Sequence, residues 1–157
     1  MVEIKRLIEY NEKIRHKYFE TLEKLPWEEF ARNREASFHS MRNILVHTLG
    51  AVNYWLDFLK KENTRSRKEF DDYKSFRDVQ ALMEQVEKRT HDYFDSLPSG
   101  GLQEKYTVTN DMNETVEVTA EDILIHVFEE EVHHRGELIA LLWQIGVEPP
   151  LMGWKYL

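Results

Sequence analysis

The stretch Asp122-Ile-Leu-Ile-His126-Val-Phe-Glu-Glu130-Glu-Val-His133-His134-Arg-Gly-Glu137-Leu-Ile-Ala-Leu-Leu142 decides the fold. Leu124, Val127, Phe128, Val132 and Leu138 recur at the spacing of a helix with an apolar seam. His126, Glu130, His134 and Glu137 follow the same spacing and line up beside that seam. Imidazoles and carboxylates next to an apolar face are costly to bury unless something satisfies them, and a divalent ion would do so. Thr119, with Asp122 three residues on, marks the start of this helix, and Gly146 stops it after about Ile145.

Working outward, three more segments carry helical periodicity. Ile4, Leu7, Ile8, Ile14, Tyr18, Leu22 and Leu25 form the first, ended by Pro26. Met41, Ile44, Leu45, Thr48, Val52, Trp55 and Leu59 form the second, with Ser37 or Ser40 as its cap. The third begins at Ser75 with Asp78 three residues later, and Pro98 and Gly100–Gly101 stop it. Between the third and fourth helices, residues 106–109 and 115–118 are β-prone and flank the turn composition of residues 110–113, which predicts a short hairpin. The tail cannot be helical through Pro149 and Pro150, and its Leu151, Met152, Trp154 and Tyr156 are expected to pack back on the body. The expected fold is all-α: one domain over residues 1–157, a four-helix bundle with a small β-hairpin between helices three and four. The connection over residues 60–74 is long enough for a crossover rather than a tight antiparallel turn.

Composition limits the chemistry. The net charge of -8 argues against nucleic-acid binding, which needs many Lys and Arg contacts to phosphate. The basic run over residues 60–68 is followed at once by Glu69, Asp71 and Asp72 and reads as a solvated connection. There is no cysteine, so thiolate ligands and a cysteine nucleophile are excluded, and any sulfur chemistry needs a small-molecule thiol. No signal-type apolar core or membrane-length apolar run is present, and a soluble cytoplasmic protein is expected.

Spacing limits the metal reading. Residues eight apart on a helix are about 12 Å apart along its axis, so His126 and His134 cannot share an ion whose ligand atoms sit roughly 2 Å from it. The workable pairs are Glu130 with His134, or His126 with Glu130, and a third ligand must come from another helix. His47, in the middle of the second helix with Gly50 and Ala51 beside it, is the best third ligand. Two histidines and a carboxylate leave coordination positions open, the catalytic pattern, and suit Zn, Ni, Mn or Fe(II). The competing reading is a hydrogen-bonded network or a subunit interface, with the run Glu129-Glu-Glu131 a solvated face that turns one member inward. Gly136 marks a close helix approach or is merely tolerated. Tyr54, Trp55 and Trp143 are candidate pocket residues, and His126 and His133 candidate orienting or basic groups.

The helix-two segment over residues 44–56, the hairpin, the His133-His134-Arg-Gly-Glu137 segment and Gly146-Val-Glu-Pro-Pro150 together resemble the DinB/YfiT-like metalloenzyme family across nearly the whole chain. The resemblance implies a four-helix bundle with crossover topology, a homodimer and a divalent ion, Zn or Ni first and Mn or Fe after them. It implies His47 and His134 as ligands, with Glu130 standing where the family usually has histidine. It also implies thiol-dependent S-transferase or hydrolase chemistry on a small-molecule substrate, possible without a protein cysteine. The alternative is a non-catalytic, stress-related bundle with a degenerate site, acting through binding or dimerisation, and the Glu130 departure favours it.

Overall fold

The computed structural model describes residues 3–63, 69–110 and 112–156. Its helices are α1 (Ile4–Leu22), α2 (Trp27–Phe30), α3 (Met41–Leu59), α4 (Phe76–Ser96) and α5 (Ala120–Gln144). An antiparallel hairpin, β1 (Lys105–Thr109) with β2 (Thr115–Thr119), precedes α5. The one-turn α2 was not legible from periodicity; it starts where Pro26 ends the first run. Part of the basic run, residues 64–68, and the turn residue 111 lie outside the described residues.

The caps act as the sequence predicts. Ser75 and Thr119 form capping boxes with Asp78 and Asp122. At α3 the structure selects Ser40, whose hydroxyl accepts from the Asn43 amide, and frees Ser37 for a long-range contact. Gly146 ends α5 with a positive φ of 73°, the left-handed conformation that favours glycine.

The long helices form a ring. α1 packs on α5 and α4, and α3 packs on α5 and α4. Side-chain pairings give the directions. Ile8 shares a cavity with Leu124 and Val127, Arg15 pairs with Glu131, and Tyr18 shares a cavity with Leu138, so α1 and α5 are parallel. Arg42 bonds Asp71 just before α4, whereas Arg89 meets Asp57 near the far end of α3, so α3 and α4 are also parallel. His16 with Glu87 and Lys5 with Asp95 make α1 and α4 antiparallel. The order is therefore up, down, down, up, and the connection after α3 is the crossover that its length permits.

The core joins α1 residues Ile4, Ile8, Ile14, Tyr18 and Leu22 to Ile44, Leu49 and Leu56 of α3, Val79 and Val86 of α4, and Leu124, Leu138 and Leu142 of α5. Each fully buried aliphatic side chain contributes roughly 1.5–3 kcal/mol. The hairpin is tied to the end of α3, where the Tyr106 hydroxyl donates to the Leu59 carbonyl at 3.0 Å. The tail packs back only in part. Tyr18 donates to Met152 Sδ and Lys17 to the Tyr156 carbonyl, but Leu151 and Trp154 are exposed at 62% and 79%. No helix among the described residues is long and apolar enough to cross a membrane.

Candidate metal centre

α3 and α5 run antiparallel, which brings the middle of one against the middle of the other. His47 Nε2 lies 3.8 Å from Glu130 Oε2, and His134 Nε2 lies 3.6 Å from the same oxygen. The two imidazoles sit edge to face with centroids 5.0 Å apart. One ligand atom from each of the three residues lies within 4.8 Å of the others. Ligands of a tetrahedral ion with bonds near 2 Å are about 3.3 Å apart, so each histidine nitrogen lies within about half an ångström of the spacing it needs from the Glu130 oxygen. Of the two pairs open to the sequence, the structure brings Glu130 and His134 beside His47.

The surroundings set the rings. His134 is buried, and its Nδ1 lies 2.7 Å from Glu137 Oε2, which also accepts from Ser37 Oγ at 2.8 Å. A carboxylate on Nδ1 fixes the proton there and leaves the Nε2 lone pair facing Glu130 and His47, as orienting carboxylates do for metal-bound histidines. Burial pushes the Glu137 pKa up, but the hydrogen bonds from His134 and Ser37 outweigh it and hold the group below its ordinary 4.5. Phe38 stacks on His47 at 3.8 Å and meets His134 edge-on at 5.3 Å, covering one side of the pair.

The other residues that the sequence singles out take varied positions. His126 is exposed and sits edge-on to Trp55, about one turn from Glu130 and two from His134. Val132 is 40% exposed and is not part of the seam. His133 is exposed and stacks on His134 with centroids 5.0 Å apart. Trp55 lines a cavity walled by all four long helices, whereas Trp143 is 60% exposed and points outward. The glutamate run turns two members inward, because Glu131 pairs with the buried Arg15 as Glu130 joins the histidines. A Cβ at Gly136 would meet nothing within 4 Å, so this glycine marks no close approach.

The ion-pair network of α1 was missed. Arg15 Nε and Nη2 both donate to Glu131 and Nη1 donates to Glu87 at 2.9 Å, a fork–fork pair with a further acceptor. Desolvation works against the Arg15 charge, and the facing Glu131 and Glu87 carboxylates more than restore it, raising its pKa. Asn11 accepts from Arg135 Nη1 at 2.8 Å. A signal existed, since Ile4, Ile8, Asn11, Arg15, Tyr18 and Leu22 keep a four-three spacing that puts the polar pair on the apolar stripe.

Comparisons with known proteins agree with this architecture. The chain is 27% identical over 146 residues to the uncharacterised protein YizA of Bacillus subtilis, covering 92% of this chain and 89% of that protein. Its fold is similar to the crystal structure of a DinB-like protein, YjoA, of Bacillus subtilis, with a TM-score of 0.66, 16% identity, and coverage of 94% of this chain and 96% of that one. The DinB family model matches residues 1–155, and the chain belongs to the DinB family.

Proposed function

We propose that this protein is a divalent-metal-dependent enzyme that uses His47, Glu130 and His134 as ligands and acts on a small molecule by thiol transfer or hydrolysis. The observation that carries this reading is the convergence of three donors with His134 already oriented by Glu137. Two histidines and a carboxylate suit Zn or Ni first, with Mn and Fe(II) as further candidates, and leave coordination positions open. An ion held there supplies Lewis acidity that lowers the pKa of a thiol or water brought to an open position.

The protein's own groups do the rest. Glu137 holds the His134 proton on Nδ1 and keeps Nε2 available. Phe38 limits water on one side of His47 and His134. Glu130 adds a negative charge where a third imidazole would be neutral, which favours harder ions. With no cysteine in the chain, the sulfur in a transfer reaction comes from a low-molecular-weight thiol.

Elemental analysis of the purified protein tests the reading. Near one ion per chain is expected in wild type and none in His47→Ala or His134→Ala. His16→Ala and His91→Ala should keep the ion, because those rings pair with Glu87 and Glu12 on the α1–α4 side. Equal metal content in all four variants would overturn the site. Thiol-transfer and hydrolytic substrates are then screened with the loaded protein.

A further inference from the structure

Beside the three donors, a cavity of about 30 Å³ opens between α1, α3 and α5, with His134 in its wall. Its polar lining includes Asn11, Arg15, Glu131 and Arg135. Arg15 is committed to Glu131 and Glu87. Arg135 forms no ion pair among the described residues, and its hydrogen bond is to the neutral Asn11 Oδ1. Asn11 is only 1% exposed, and its Nδ2 is a buried donor with no partner among the described residues. Its orientation is not interchangeable, because reversing the amide would set an N–H against the guanidinium. The wall thus carries a guanidinium without an ion pair beside a buried donor that has no partner.

We propose that this cavity binds a carboxylate group of the substrate, with the Arg135 guanidinium and Asn11 Nδ2 as its donors. A planar guanidinium matches a planar carboxylate. The cavity admits a group the size of a carboxylate, and the planar match to the guanidinium favours it over a tetrahedral phosphate. Because His134 belongs both to this wall and to the three donors, a carboxylate anchored here keeps the rest of the molecule beside the candidate metal centre. In calling the ligand a substrate, the proposal rests on the metal-enzyme reading; affinity for a carboxylate does not.

The test titrates acetate, its neutral isostere acetamide and inorganic phosphate into metal-free wild-type protein, following the Asn11 side-chain amide and Arg135 Nε–H signals by NMR. Acetate is expected to shift both signals and to bind at least about tenfold tighter than acetamide or phosphate, the scale of a charge-assisted hydrogen bond. Arg135→Met and Asn11→Leu should each remove the acetate response. Acetate that moves neither signal in wild type, or acetamide or phosphate that binds equally well, overturns the proposal whether or not the variants fold. A second arm compares 3-mercaptopropionate with propionate on zinc-loaded protein. Tighter binding of the thiol acid that Arg135→Met abolishes places the carboxylate on the thiol, and equal binding places it on the other substrate. Failure to load zinc would sink the metal reading and leave the acetate result standing.

Discussion

Glu137→Gln separates a working metal centre from a cluster of polar side chains. Glutamine keeps the shape and can still accept from His134 Nδ1, so the change removes the charge from an oxygen that now serves two donors at 2.7 and 2.8 Å. A charge-assisted hydrogen bond is roughly twice as strong as a neutral one, and loss of the orienting partner of a metal-bound histidine costs about 10–100-fold in affinity. The conservative change should therefore weaken zinc binding about tenfold, near 1.4 kcal/mol, and Glu137→Ala should approach the upper figure. Competition against a chromogenic chelator at pH 7 reads the difference, with the exposed Glu129→Gln as a control expected to match wild type. The pH dependence of the metal-free protein adds a sign. Since the folded Glu137 pKa lies below its ordinary 4.5, its stabilisation is complete above that value and is lost as pH falls through the folded pKa. The stability gap between wild type and Glu137→Gln should accordingly be full at pH 7 and close on acidification. Unchanged zinc affinity in Glu137→Gln, alongside loss in His134→Ala, would refute the role given to this carboxylate.

Glu130→His, which restores the usual family residue, should retain or strengthen ion binding in the same competition; loss would mean that the carboxylate itself is required. Arg15→Met strands Glu131 without its cation, leaves Glu87 only the exposed His16, and should cost about 3 kcal/mol by urea denaturation. Gly136→Ala, at an exposed helical site where the new methyl meets nothing, should stabilise by about 0.5–1 kcal/mol in the same assay. Asp122→Ala should flatten the acid limb of the stability profile, because hydrogen bonds from the Thr119 side chain and backbone hold the Asp122 pKa below 3.8 and its contribution disappears as pH falls through that depressed value.

The fold was readable where periodicity and caps agree. Ser75 and Thr119 announced α4 and α5, and the length of the 60–74 connection allowed the parallel α3–α4 pair that the structure contains. The three donors were readable because helical pitch excludes a His126–His134 pair and leaves few partners for Glu130. Pitch alone could not choose between His126 and His134; the crossing of α3 over α5 makes that choice, and it is a tertiary fact. Phe38 and Ser37 were invisible as site residues, since they lie in a loop with no periodicity and reach His47 and Glu137 only after the chain has turned. Trp143 misled because an aromatic at helical spacing tells nothing of which face is covered.

The ring order of the helices bears on how the protein is made. α1 and α3 face each other diagonally, so the portion synthesised before residue 120 has α4 as their common neighbour and an open trough where α5 will lie. In that trough Ile44, Leu49 and Leu56 wait for Leu124, Leu138 and Leu142, and His47 waits for its chelating pair. A nascent or prematurely ended chain would present a sticky apolar channel and a single imidazole. Closing the core and assembling the three donors are thus one event, completed only when α5 leaves the ribosome and docks.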